Sequence, residues 1–117
     1  MKNPVEIVLR GMPHSSALEH YIGEQAHKLD WAGGRILGCH VIAEALHRPT
    51  QHGLKFAVRL DITLPGTAVV VSREHGEDVY AAVRDAFKAA GLQLNDHIRR
   101  IGSAGRRSGN GTPDRGS

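Results

Sequence analysis

Alternating apolar and polar residues predict four β-strands along the chain. The clearest alternation covers residues 54–64, where every second side chain is apolar, so one face is buried and the other meets water. Less regular versions of the same pattern cover residues 4–10 and 36–46. A Pro-Gly turn signal then separates the strand at 54–64 from a fourth strand at 67–73, so these two strands form a hairpin.

Apolar residues spaced three and four positions apart predict two helices. Ser16 and Glu19 have the spacing of a capping box, so the first helix begins near Ser16 and runs to about Asp30. Acidic residues within 74–78 favour the start of the second helix there, because the N-terminal end of the helix dipole attracts negative charge. The apolar stripe of the second helix consists of Val79, Val83, Phe87, Ala90, Leu94, Ile98 and Ile101.

The predicted order of elements is therefore β-α-β-β-β-α. A helical crossover between the first two strands makes them parallel, and the short links after them make the remaining pairings antiparallel. This order predicts an α/β fold of the two-layer α+β type, with a four-stranded mixed sheet and two helices packed on one face. Residues 1–101 form this domain, and residues 102–117 are a flexible tail of Gly, Ser and Arg.

The composition narrows the class of protein. Of 117 residues, 40% are hydrophobic and 23% charged, which is typical of a globular domain. A single cysteine, Cys39, excludes an internal disulfide, and no apolar run approaches the length of a membrane span. The N-terminus lacks the apolar stretch of a secretory signal, so a cytoplasmic protein without a membrane partner is expected.

The net charge of +3 is unevenly distributed. Arg106, Arg107 and Arg115 against Asp114 give the segment 102–117 a charge of +2, which leaves +1 for the rest. Net charge alone therefore gives little indication of a nucleic-acid partner.

One segment resembles a known family. Residues 72–83 read Ser-Arg-Glu-His-Gly-Glu-Asp-Val-Tyr-Ala-Ala-Val. They resemble the acidic-Asp-hydrophobic-Tyr-x-Ala-hydrophobic entry into the last helix of the short ribosome-hibernation factors, the sigma-54 modulation or ribosome-associated inhibitor family. The Gln93-Leu94 pair and the Lys28-Leu29 pair also match, and the resemblance covers about residues 4–101.

This resemblance implies a bacterial stress-response factor with no catalytic activity and no cofactor. Members bind the 30S subunit in its mRNA and tRNA channel, contact 16S rRNA with basic side chains and inhibit translation in hibernating ribosomes. Neither a small-molecule substrate nor a membrane partner is implied. Arginine and lysine suit phosphate contacts because both donate charge-assisted hydrogen bonds. The candidate RNA-binding residues are Lys28, Arg35, Arg59, Arg73, Arg84, Lys88, Arg99 and Arg100; the last two end the predicted second helix.

An alternative follows from departures from the family pattern. Leu92 and Asp96 stand where members usually carry Arg and Lys, and Glu19 and Gln25 replace common bases of the first helix. Fewer phosphate contacts would weaken binding to RNA. The alternative is a divergent protein-interaction module of the same fold that no longer binds the ribosome.

A third hypothesis concerns metal binding or catalysis. His20, Glu24 and His27 share one face of the first helix with a spacing that suits a metal, and His47 and His52 flank a turn, but exposed polar residues are the simpler interpretation. Cys39 is expected to fill the core rather than act as a nucleophile, because no motif supplies a base. No metal site and no enzyme are predicted. Tyr21, Tyr80 and Trp31 are interpreted as core residues.

Overall fold

The computed structural model describes residues 5–33, 36–47, 54–76 and 78–110, although the side chains at 31–33, 47, 54 and 101–110 are outside this description. The elements follow the predicted order β-α-β-β-β-α. They are β1 (Glu6–Arg10), α1 (Ser16–Gly33), β2 (Gly38–His47), β3 (Leu54–Leu64), β4 (Thr67–Gly76) and α2 (Val79–Asn110).

The four strands form one mixed sheet in the order β1-β2-β3-β4. β1 and β2 are parallel, with Ile7 opposite Val41. β2 and β3 are antiparallel, and so are β3 and β4, where Leu60 lies opposite Val71. The predicted mixed topology and the hairpin at 54–76 are both confirmed.

The hydrophobic core lies between one sheet face and the two helices. Alternate residues of β2, β3 and β4 point into it, and the stripes of α1 and α2 cover them. Ile98 is 39% exposed, so the buried stripe of α2 ends at Leu94 among the described side chains. The most completely buried large residues are Leu18, Ile22, Val41, Val58, Leu60, Ile62, Val71 and Val83.

The N-terminus of α1 is capped by Ser15. The Ser15 hydroxyl accepts a hydrogen bond from the Leu18 amide at 3.1 Å, and its carbonyl accepts one from the Glu19 amide at 3.0 Å. The predicted capping role of Ser16 is therefore wrong by one residue, because Ser16 is already helical. Glu19 contacts His14 at 3.0 Å instead of closing a capping box.

The junction between β4 and α2 also differs from the prediction. Residues 74–76 continue β4, and Glu74 lies 3.7 Å from Lys55 of β3. α2 begins only after Asp78, whose carboxylate accepts hydrogen bonds from the Tyr80 amide at 2.9 Å and the Ala81 amide at 3.2 Å. A single capping aspartate fixes the helix start because it satisfies two otherwise unpaired N–H groups.

α2 continues to Asn110, beyond the end of the predicted apolar stripe at Ile101. Arg99 and Arg100 are consequently interior residues of the helix, and their predicted place at its end is wrong. Residues 111–117, the remainder of the predicted tail, lie outside the described residues. No described helix is both long enough and apolar enough to cross a bilayer.

Gly91 is a helical position where an added methyl group has room. A Cβ there would lie 3.7 Å from Leu29 Cδ1, which is an ordinary van der Waals contact. Because alanine favours helix over glycine by about 1 kcal/mol, we expect Gly91→Ala to raise the melting temperature by roughly 4–8 °C. Gly23→Ala, with nothing within 4 Å of its Cβ, is the control for helix propensity alone. Thermal denaturation monitored by circular dichroism compares the two variants. A loss of stability in Gly91→Ala but not in Gly23→Ala would show that the added methyl group does not fit against Leu29.

Candidate nucleic-acid interface

The candidate RNA-binding residues are distributed over both layers of the fold. All the described ones are exposed, and Arg35 lies outside the described residues. Lys28 is on α1, Arg59 on β3 and Arg73 on β4, whereas α2 carries Arg84, Lys88, Arg99 and Arg100.

Three cations of α2 form a line on its outer side. Arg84 and Lys88 are about one turn apart, and Arg99 follows Lys88 by eleven residues, or just over three turns. At a rise of 1.5 Å per residue this line is about 22 Å long. It faces away from the buried positions Val83, Phe87 and Ala90.

Lys28 lies on the side of α1 that faces α2. The rings of Tyr21 and Tyr80 meet edge to face with centroids 5.1 Å apart, which shows where the two helices contact. Lys28 follows Tyr21 by two turns, and Arg84 follows Tyr80 by one, so both continue along the contact line. Lys28, Arg84, Lys88 and Arg99 are called the basic strip below.

The cations of the basic strip are largely free of carboxylates. Within the described part of the chain, no carboxylate lies within 4 Å of the charged groups of Lys28, Lys88 or Arg99, and only Arg84 has such a neighbour, Asp85, at 3.7 Å. Unpaired cations attract anions without first breaking an ion pair. An anionic partner at the basic strip would therefore meet fewer competing carboxylates than at the charged pairs elsewhere on the described surface.

The open face of the sheet has a different charge pattern. Arg59 donates to Asp61 at 3.4 Å, and Lys55 lies 3.7 Å from Glu74. Acids and bases alternate across the strands, so their fields largely cancel at a distance. The charged residues of this face are the bases Arg10, Lys55 and Arg59 and the acids Glu6, Glu44, Asp61 and Glu74.

Two further candidates are engaged in local contacts. Arg73 donates to the Ser72 carbonyl at 2.7 Å, which holds its guanidinium along its own strand. Arg100 forms an ion pair with Asp96 and lines a cleft beside β4, on a different side of α2 from Arg99. Helical geometry thus places Arg84, Lys88 and Arg99 on one side of α2 and Lys28 on the side of α1 that carries Tyr21, whereas Arg59, Arg73 and Arg100 lie elsewhere. Asp96 and Arg100 have the i, i+4 spacing of a helical ion pair, and Asp61 lies two residues after Arg59 on the same strand face. Sequence spacing therefore contained a signal for this division that the prediction did not use.

Two histidines, His14 before α1 and His20 on α1, pair with glutamates. His20 Nε2 lies 3.3 Å from Glu24, and His14 Nε2 lies 3.0 Å from Glu19. Among the described residues, no three His, Cys, Asp or Glu side chains come together in a way that would hold a metal ion. His47 and His52, the other pair considered from the sequence, lie outside the described side chains.

The Cys39 thiol is buried in the core, as the alternation of β2 predicts. Burial raises its pKa from 9.0 to about 11, and the negative charge of Asp61 adds to the shift. We expect a thiol reagent at pH 8 to modify the native protein at least tenfold more slowly than the unfolded chain, because the thiolate is the reactive form. Reaction at equal rates in buffer and in denaturant would contradict this burial.

The same shift implies a pH dependence of stability. Between the unfolded value of 9.0 and the folded value of about 11, the unfolded chain has lost the proton that the folded chain keeps. The free energy of unfolding should therefore fall as the pH rises through this window. Denaturant titrations of the native chain and of Cys39→Ala, compared between pH 8 and pH 11, isolate this contribution.

The aromatic pair joins the N-terminal halves of the two helices. Tyr80 is 39% exposed and Tyr21 is half-buried, so both contribute to the helix interface without being fully enclosed. The predicted core role is therefore wrong for Tyr80, whereas Tyr21 packs against the core. The side chain of Trp31 lies outside the described residues.

The family model described as sigma 54 modulation protein / S30EA ribosomal protein matches residues 5–102. The chain belongs to this family. The resemblance predicted from residues 72–83 is thereby confirmed, and the match covers all four strands, α1, and α2 as far as residue 102 of this S30EA protein. A comparison with curated protein sequences found no significant match.

Two solved structures share the fold of this S30EA protein. One is a ribosomal subunit interface protein from Coxiella burnetii, at 20% identity and a TM-score of 0.69, covering 81% of this chain and 97% of the other. The second is the N-terminal domain of Thermus thermophilus Protein Y, at 20% identity and a TM-score of 0.66, covering 79% and 94%. At this identity the likeness establishes the two-layer architecture alone.

Proposed function

We propose that this S30EA protein is a non-enzymatic, cytoplasmic factor that docks on the 30S ribosomal subunit. It contacts 16S rRNA in the mRNA and tRNA channel and inhibits translation during hibernation. The observation that carries the proposal is the basic strip, whose Lys28, Lys88 and Arg99 have no carboxylate neighbour in the described part of the chain. Membership of the S30EA family and a fold shared with a ribosomal subunit interface protein support it.

The chemistry of the strip favours the RNA backbone over the bases. Arginine donates in a planar fork that matches a phosphate, and lysine adds a mobile point charge. Phosphate contacts fix the position of a protein on a nucleic acid without reading its sequence. Such contacts suit an rRNA surface of fixed shape. A protein bound in the channel would exclude mRNA and tRNA sterically.

Co-sedimentation with purified 30S subunits across a salt series tests the proposal. Three to four phosphate contacts predict a slope of about −2 to −4 when the logarithm of the association constant is plotted against that of salt concentration. Saturable binding near one copy per subunit, together with inhibition of translation in a purified system, is the expected result. Absence of the protein from the pellet at low salt would overturn ribosome docking.

The open sheet face favours a second candidate function, a protein-interaction module that does not bind ribosomes. Its cations Lys55 and Arg59 are held by Glu74 and Asp61, so the face attracts RNA poorly. A protein partner on this face predicts an association that changes little with salt. The salt series therefore distinguishes the two candidates directly.

A further inference from the structure

The first six residues of the edge strand β4 lack the usual protection, whereas Arg73 and Glu74 place charges in its second half. The strand pairs only with β3 in the described sheet, and its register with β3 is unbroken from Thr67 to Gly76, so no bulge interrupts the free edge. Residues 67–72 read Thr-Ala-Val-Val-Val-Ser and contain neither a charge nor a proline. Natural proteins block long edges with charges, proline or bulges, because the unpaired N–H and C=O groups are a template for another strand.

A cleft of about 370 Å³ runs beside this edge. Residues 67–70 of β4 form one wall of the cleft. The opposite wall is one face of α2, because its residues follow the first of them by three, four and seven positions. Its two charged residues, Asp96 and Arg100, form an ion pair with each other, so the cleft carries no net charge. Space and backbone groups are thus available for an uncharged, extended segment. The α2 wall consists of Gln93, Asp96, His97 and Arg100.

We propose that β4 pairs antiparallel with β4 of a second copy of this chain, joining the two sheets edge to edge about a twofold axis. Residues 67–72 have the chemistry that the cleft accepts, since they are uncharged, rich in β-branched side chains and already extended. An isologous pairing of this kind satisfies the free backbone groups of both edges at once.

The positions of the charged residues in β4 are compatible with self-pairing. In an antiparallel register centred on Val71, Arg73 of one copy faces Val69 of the other, and Glu74 faces Ala68. Centring the axis on Val70 instead places Arg73 opposite Thr67. In both registers each charged residue faces an uncharged one, so the repulsion that like charges cause across strands is absent. Val70, which is 45% exposed in the single chain, becomes covered.

The proposed pairing is independent of the proposed function, and it leaves the basic strip accessible to RNA. Asp96 and Arg100 lie on the side of α2 next to β4, whereas Arg84, Lys88 and Arg99 follow its outer side. The basic strip of each copy therefore remains exposed in the dimer. Failure of one proposal leaves the other standing, because dimerisation is measured without ribosomes.

Sedimentation velocity of the full chain at concentrations up to about 1 mM tests the proposal. We expect the mass to rise from the monomer value of 12.7 kDa to twice that value as the concentration increases. Val70→Lys places a charge in the middle of the edge, and it should raise the dissociation constant at least tenfold. Thr63→Lys puts the same charge on the same sheet face but on the inner strand β3, so it should dimerise like the native chain.

Hydrogen exchange of the β4 amides provides a second measurement that does not depend on the variant's folding. Protection of amides in residues 67–72 should increase with the concentration of the native protein, while β1 amides stay unchanged. A native chain that stays monomeric at the highest concentration overturns the proposal. Equal dimerisation of Val70→Lys and Thr63→Lys, or concentration-independent exchange in β4, does so as well.

Discussion

Neutralising the three unpaired cations of the basic strip should reduce affinity for the 30S subunit by about 100-fold at moderate salt. The variant is Lys28→Gln, Lys88→Gln, Arg99→Gln, and each substitution removes one positive charge that has no carboxylate neighbour among the described residues. If each cation contacts one phosphate, the slope of log affinity against log salt should fall by about 2–3. Filter binding or co-sedimentation at four salt concentrations measures both quantities.

A matched control removes three positive charges from the opposite side of the molecule. Arg10→Gln, Lys55→Gln, Arg59→Gln changes the net charge equally but acts on the open sheet face. We expect it to bind with an affinity within a few-fold of the native chain. Equal losses in the two variants would show that only total charge matters, and an unaffected strip variant would exclude the strip as the docking surface.

The largest expected effect on stability is that of Gly11→Ala, which should destabilise the fold by about 3 kcal/mol. Gly11 has a φ of 70°, a conformation that side chains disfavour, and a Cβ there would lie 2.8 Å from the Ala45 carbonyl oxygen. The Ala45 oxygen is a backbone atom of β2, and the added Cβ is attached to the backbone directly after β1, so neither can move aside without disturbing the parallel pair. Thermal and denaturant unfolding measure the loss.

Gly66→Ala separates the two causes. Gly66 also has a positive φ, 76°, but nothing lies within 4 Å of its added Cβ. This variant should lose only the conformational term, about 1–2 kcal/mol. If Gly11→Ala costs no more than Gly66→Ala, the close approach to Ala45 has no energetic consequence.

The elements that local pattern predicted well are those with one buried and one solvated face. β3 was predicted with its observed limits, Leu54–Leu64, because its alternation is nearly unbroken. The limits of α1 and α2 were predicted less well, since a cap depends on one hydroxyl or carboxylate. Ser15 supplies this group for α1, one residue before the predicted Ser16. Asp78 supplies it for α2, at the end of the acidic segment 74–78 from which the helix was predicted to start.

The site was predicted as a set of residue types and not as a surface. The sequence indicated eight basic candidates, and it ranked Arg59 and Arg100 with Lys88. Their neighbours distinguish them, because Arg59 is paired with Asp61 and Arg100 with Asp96. The contact of Tyr21 with Tyr80, which places Lys28 beside α2, joins residues that are far apart in the chain.

By itself, the sequence determined the order of the elements, the buried face of each and the family to which the chain belongs. These properties follow from the period of the apolar pattern and from a contiguous motif at 72–83, both of which are local. Only the tertiary structure decided which side of α1 meets α2 and which edge of the sheet stays open. Both depend on contacts between strands and helices distant in sequence, and no local period encodes such contacts.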